Sequence, residues 1–196
     1  ILRQSSCHKY YLLTYSTLKN MKKNIENAII EQIQKEEHSS RLYLQMAIWC
    51  EANGFPGAAA FLYKHSDEER LHQLKFIHFL NDREGMALLK SLDPPQNEFP
   101  SLKAVFEKIL DHEKYISASI NEIYGLTQQE KDYTTANFLQ WFINEQIEEE
   151  SKMRAILDKI KLAGDGLTGG LFLIDKELGD LATTSAANNS TQKAAE

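Results

Sequence analysis

Pro94 and Pro95 stand midway along a chain that elsewhere repeats its apolar residues at helical spacing. Proline has no amide hydrogen and its ring clashes with the preceding turn, so LDPPQNEFP, residues 92–100, is not helix interior. Two long periodic segments precede it, at about 25–52 and 56–83, and two follow, at about 100–127 and 133–163. Asn53-Gly54 and Pro56 break the first pair tightly, and Gln128 to Asp132 break the second. Short breaks make the helices of each pair antiparallel neighbours. A helix of this length measures roughly 40 Å. The central link of about 15 residues spans up to roughly 50 Å, so it can run the whole length of its neighbours and start helix three parallel to helix two.

These lengths predict an all-α protein: a four-helix bundle with one long crossover between helices two and three, the ferritin-like arrangement. Strand-like alternation is absent. Gly164, Gly166, Gly169 and Gly170 form a hinge, after which a short fifth helix runs from about Leu171 to Leu181. Residues 21–181 are expected to form one domain. Residues 1–20 contain no Asp or Glu and read as an extension outside the fold, dispensable rather than organelle-targeting. Residues 182–196, ATTSAANNSTQKAAE, read as a disordered tail.

The bundle geometry sets which polar groups lie level. Counted from the first turn, centred on residue 54, Glu36 and His72 are equally distant, with Glu69 one turn from His72. Counted from the second turn, Glu113 and Gln146 are equally distant, with Glu149 one turn on. Each hairpin therefore sets one carboxylate against an i,i+3 polar pair on its partner. Di-iron carboxylate bundles use that plan with Glu-x-x-His on both paired helices. Here Glu69-x-x-His72 is the chain's only such motif, and Gln146-x-x-Glu149 replaces the second. The stretch NEQIEEE, residues 144–150, carries Glu145, Glu148, Glu149 and Glu150 with no cation until Lys152. On a partly buried helix that density of charge is costly unless cations bind.

Four stretches, EEHSSRLY, AIWCEANGFPGAAAFLYKHSDEERLH, FLQWFINEQIEEE and LFLIDKEL, resemble the bacterial non-haem ferritins, and the similarity runs from about Lys22 to Leu181. The resemblance implies a first iron at Glu36, Glu69 and His72, and a second at Glu69, Glu113 and Gln146. It implies a third nearby iron at Glu68, Glu145, Glu148 and Glu149, and Tyr43 beside the irons as an electron source. It further implies a hollow 24-subunit shell filled with ferric mineral, with the fifth helix in contacts between subunits. Arg70 and Gln146 depart from the haem-binding bacterioferritins, so no haem is expected. Rubrerythrins, mini-ferritins and di-iron oxygenases are set aside by the missing second Glu-x-x-His, the missing Cys-x-x-Cys domain or the presence of the fifth helix. His65, His78 and His112 have no level partners and read as surface or packing residues, with His38 beside the site. Trp49 and Trp141 read as core.

The expected activity is a ferroxidase that oxidises Fe(II) with dioxygen or hydrogen peroxide and stores the product. A bundle that binds metal without turnover, and a peroxide-scavenging di-iron protein, are the competing readings. A net charge of −6 argues against a nucleic-acid partner. No apolar run is long enough for a membrane span, and Cys7 and Cys50, far apart in unlike contexts, suit a reducing cytoplasm.

Overall fold

The computed structural model describes residues 21–164 and 169–193, with side chains as far as residue 183. The expected extension at 1–20 lies outside the described residues. Five helices follow in order: α1 (Lys23–Ala52), α2 (Pro56–Asp82), α3 (Leu102–Glu130), α4 (Tyr133–Ala163) and α5 (Gly170–Lys193).

Local chemistry fixes each boundary. Gly54, at φ +82°, turns the chain after α1, and Pro56 opens α2 at a position needing no amide hydrogen. Ser101 caps α3 by accepting from Ala104 N at 3.2 Å. Asp132 caps α4 by accepting from Thr135 N at 3.1 Å. Cross-chain contacts then fix direction. Asn24, at the start of α1, donates to Glu130 at the end of α3 (2.9 Å). Phe99, just before α3, packs edge-on against Trp49 near the end of α1. Helices α1 and α3 are therefore antiparallel, and the crossover starts α3 at the same end as α2. At the far end Arg83 clamps Asp132 with two hydrogen bonds of 3.2 Å, tying the end of α2 to the start of α4.

Buried apolar residues fall into two clusters stacked along the bundle. One holds Ile25, Ile29, Ile33, Phe76, Leu80, Ile116, Ile120, Leu139 and Phe142. The other holds Leu42, Met46, Leu62, Phe106, Ile109, Met153 and Ile156, with α5 adding Ile174 and Leu178. Each fully buried large side chain contributes about 1.5–3 kcal/mol. Between the clusters every helix changes chemistry at one height: Glu36 follows Ile33, Glu69 and His72 precede Phe76, Glu113 lies between Ile109 and Ile116, and Gln146 and Glu149 lie between Phe142 and Met153. The bundle thus carries a buried polar layer between two apolar ones.

Helix α5 packs against α2 and α4. Asp175 accepts from the free N–H groups of Gly57 (3.1 Å) and Ala58 (2.8 Å) at the start of α2, a cap supplied by a distant segment. The helix runs to Lys193, past the Leu181 at which the apolar pattern stops, so its end is not at the expected tail boundary of 182. No Gly or Pro follows Gly179, and a helix already nucleated propagates through Ala, Ser and Thr at little cost.

Candidate metal centre

Glu36 from α1 and Glu69 and His72 from α2 each offer a ligand atom, and these atoms lie within 4.8 Å of one another. The i,i+3 spacing brings His72 Nδ1 to 3.5 Å from Glu69 Oε2. All three residues are buried, and Glu36 Oε2 has no hydrogen-bond partner among the described residues. Its other oxygen accepts from Gln32 Nε2 at 2.7 Å. A relay stands behind that bond: Lys35 donates to Ser119 (2.5 Å), and Ser119 donates to Gln32 (2.6 Å). Gln32 was not among the expected site residues, although its place four before Glu36 puts both on one face.

On the other hairpin, Glu113 and Gln146 meet as their equal heights predict. Oriented by its surroundings, the Gln146 amide donates to Glu113 Oε2 at 3.0 Å and to the Glu113 main-chain oxygen at 3.1 Å. The Tyr43 hydroxyl donates to Glu113 Oε1. Tyr43 and Glu113 are each 1 % exposed, so this contact is sealed from solvent.

A second group forms alongside. His65, Glu68 and Glu149 also bring ligand atoms within 4.8 Å of one another. His65 reads from sequence as a surface or packing residue; the structure instead buries it with Nε2 3.5 Å from Glu149 Oε2. The available signal was its position three before Glu68 and four before Glu69, on the same helical face. Of the residues expected around a third iron, Glu68 and Glu149 join this group, Glu145 is half-buried nearby, and Glu148 is exposed and outside it.

Other expectations are met or corrected. His78 is exposed. His112 is hydrogen-bonded to Ser39 at 2.7 Å and lies edge-on to Tyr43, and burial drives its pKa down to about 4. His38 pairs with His112 at a ring separation of 6.0 Å. Trp49 packs against the core, but Trp141 does not belong to it. It is 40 % exposed, edge-on to His72 on one side and covered by Lys75 Nζ, 2.9 Å from the ring centroid.

Electrostatics separate the two groups. Burial drives the Glu36 carboxyl well above the usual range, and the Glu69 charge adds to it. Burial lifts Glu69 to about 8, and burial with the Glu149 charge lifts Glu113 to about 8. Among the described residues no lysine or arginine pairs with these three. Glu149 behaves in the opposite way. Burial pushes it up, but His65 and Lys152 outweigh burial and bring it to about 2. Lys152 Nζ donates to Glu149 Oε1 at 2.6 Å.

The donor set fits iron. Carboxylate oxygens and a single imidazole are hard to borderline ligands, with no thiolate among them. A buried carboxylate oxygen with no partner among the described residues, in a cluster short of positive charge, is chemically suited to hold a cation.

Comparisons with known proteins agree. The ferritin-like domain family matches residues 26–163. A probable bacterial non-heme ferritin-like protein of Haemophilus influenzae is 45 % identical over 164 residues, covering 83 % of this chain and 98 % of that protein. A bacterial non-heme ferritin of Campylobacter jejuni is 42 % identical over 162 residues, covering 83 % of this chain and 96 % of its own. Among solved structures, an open pore ferritin from the archaeon Archaeoglobus fulgidus superimposes with a TM-score of 0.80 at 34 % identity, over 82 % of this chain and 98 % of that one. The sequence match, the shared fold and the buried carboxylate layer lead to one conclusion: this chain belongs to the ferritin family.

Proposed function

We propose that this protein stores iron and acts as a ferroxidase. The observation that carries the reading is the convergence of Glu36, Glu69 and His72 with Glu113 and Gln146 in one buried layer, where among the described residues no lysine or arginine forms an ion pair with Glu36, Glu69 or Glu113. Two Fe(II) ions are the substrate. The first takes Glu36, Glu69 and His72, the second takes Glu113 and Gln146, and Glu69 lies between them. Each ion gives up one electron. Dioxygen accepts both electrons with two protons and leaves as hydrogen peroxide, or hydrogen peroxide itself serves as the oxidant and leaves as water.

The chain's residues supply charge and protons. Glu69 and Glu113, titrating near 8 in the empty site, hold protons at neutral pH and give them up as Fe(II) arrives. Gln32 and the Lys35–Ser119 relay hold Glu36 in place. On a four-electron route, in which dioxygen takes four electrons and four protons and leaves as two waters, Tyr43, hydrogen-bonded to Glu113, is positioned to supply the third electron, its proton passing to Glu113, and a third Fe(II) supplies the fourth. Weakly retained Fe(III) then moves to a growing ferric oxide.

Storage requires a container, and the proposed one is a homomeric 24-subunit shell. Exposed Phe172 and Leu173 on α5, 71 % and 65 % accessible in the single chain, suit burial between subunits. No helix among the described residues is long and apolar enough to cross a membrane. A cytoplasmic location and no nucleic-acid partner remain part of this proposal.

Aerobic loading with Fe(II), followed by size exclusion with joint protein and iron detection, tests the reading. Expected is a particle of roughly half a megadalton carrying far more iron than its sites could hold. A small particle with a few irons per chain would leave metal binding without storage, and absence of fast oxidation would remove the ferroxidase.

A further inference from the structure

The two groups differ in one respect that their ligands alone do not explain. Among the described residues Glu36, Glu69 and Glu113 have no lysine ion-pair partner, whereas both carboxylates of the second group do. Lys64 Nζ is 3.4 Å from Glu68 Oε1, and Lys152 Nζ is 2.6 Å from Glu149 Oε1. The remaining ligand atoms of that group are oriented as if for a cation. His65 Nδ1 lies 3.0 Å from the Phe61 main-chain oxygen and donates to it, which leaves Nε2 to face the group. Nε2 lies 3.5 Å from Glu149 Oε2, and neither atom has a hydrogen-bond partner among the described residues. A buried imidazole nitrogen and a buried carboxylate oxygen left without hydrogen-bond partners are together stabilised by a positive charge between or beside them. An imidazole fixed by a backbone carbonyl on one nitrogen, with the other aimed at a carboxylate, is the posture of a metal ligand.

We propose that Lys152 is a built-in counter-cation for the His65–Glu68–Glu149 group, so that a third metal ion binds there by displacing the ammonium from Glu149. This deepens the ferroxidase reading and rests on it. The lysine neutralises Glu149 when the position is vacant, unlike the paired site, which has no substitute for iron. Metal at the third position therefore competes with Lys152 and is held more weakly than metal at the pair. The side chain has a route out: it is 40 % exposed, while Glu149 is 5 % exposed. An ion that arrives by displacing a tethered cation is also readily expelled by it, which suits a position through which iron passes rather than one in which it stays.

Zinc(II), which binds such ligands without being oxidised, is the probe. Calorimetric titration of the assembled, metal-free protein is expected to resolve a tight class of sites and a weaker one. Lys152→Met should tighten the weaker class roughly tenfold or more, the worth of one charge-assisted hydrogen bond, and leave the tight class unchanged. Lys152→Arg should restore the parental value. His65→Phe should remove the weaker class, and Glu69→Ala should remove the tight class. Mass-spectrometric acetylation provides an independent readout: labelling of Lys152 should rise when zinc fills the weaker class. Equal weak-class affinity in the parent and Lys152→Met, or unchanged Lys152 labelling on filling, overturns the proposal while the paired site stands. Failure of the parent to bind zinc in either class overturns the paired-site reading and this proposal together.

Discussion

Tyr43 and Glu113 meet across the bundle, the phenol of α1 donating to a carboxylate of α3 that also receives the Gln146 amide of α4. A single side chain thus links the first hairpin to the ligand set of the second. Tyr43→Phe keeps the ring packing and deletes only the donor. The metal-free protein should lose about 1 kcal/mol of stability, read by thermal unfolding. Fe(II) should still bind, with more slowly completed oxidation cycles in stopped-flow traces. Unchanged cycles would limit Tyr43 to a packing role.

Metal-free stability should depend on pH in a definite direction. Glu69 and Glu113 titrate near 8 in the folded chain against 4.5 for an unperturbed carboxyl. Between those values the folded state holds protons that the unfolded state has released, so stability falls as pH rises. His112, lowered from 6.5 to about 4, acts in the opposite direction but only below 6.5. From pH 6.5 to 8 the decline should amount to about 1–2 kcal/mol per carboxyl, and Glu113→Gln should flatten it. Denaturant unfolding across that window measures the slope; a rise in stability would contradict the assignment.

Removing a ligand should separate chemistry from folding. Glu69→Ala or His72→Ala should slow initial Fe(II) oxidation by about a hundredfold or more. Because the empty site is a cost rather than a support, helicity and metal-free stability should be maintained in Glu69→Ala. Initial rates equal to the parent's would remove Glu69 from the site.

The docking of α5 is also testable. Asp175→Ala leaves two N–H groups at the start of α2 uncapped and should cost about 1–2 kcal/mol. At Gly57 a Cβ would lie 1.8 Å from the Asp175 main-chain oxygen, so Gly57→Ala must push α5 off its seat. Limited proteolysis should then cleave near residue 170. Gly125 is the control, since a Cβ there meets nothing within 4 Å. Gly125→Ala in mid-helix should stabilise by up to about 1 kcal/mol.

Much of this arrangement is legible in the one-dimensional pattern because helices are rulers. A fixed rise per residue converts distance from a turn into height, so Glu36 with His72, and Glu113 with Gln146, were placed level from sequence alone. Pro94 and Pro95, with the length of the crossover, determined that α3 runs parallel to α2. The residues of NEQIEEE were harder to sort, because rotation about a helix axis and the reach of side chains from other helices decide their partners. Glu149 turns inward to His65 and Lys152, Glu150 bonds Ser117 and Arg154, and Glu148 stays in solvent. Trp141 shows the same limit: it adjoins an apolar run yet faces out beneath Lys75.

By itself, then, the sequence determined the helices, their order and direction, and the height of the carboxylate layer, since these follow from periodicity, breaks and lengths. Only the tertiary structure decided which carboxylates share a counter-charge. Coulomb interactions in a buried layer depend on distances of a few ångströms between atoms of different helices, and spacing along a single helix does not contain that information. Burial raises Glu69 and Glu113 to about 8, whereas His65 and Lys152 outweigh burial and hold Glu149 at about 2, although all three are buried glutamates in one layer.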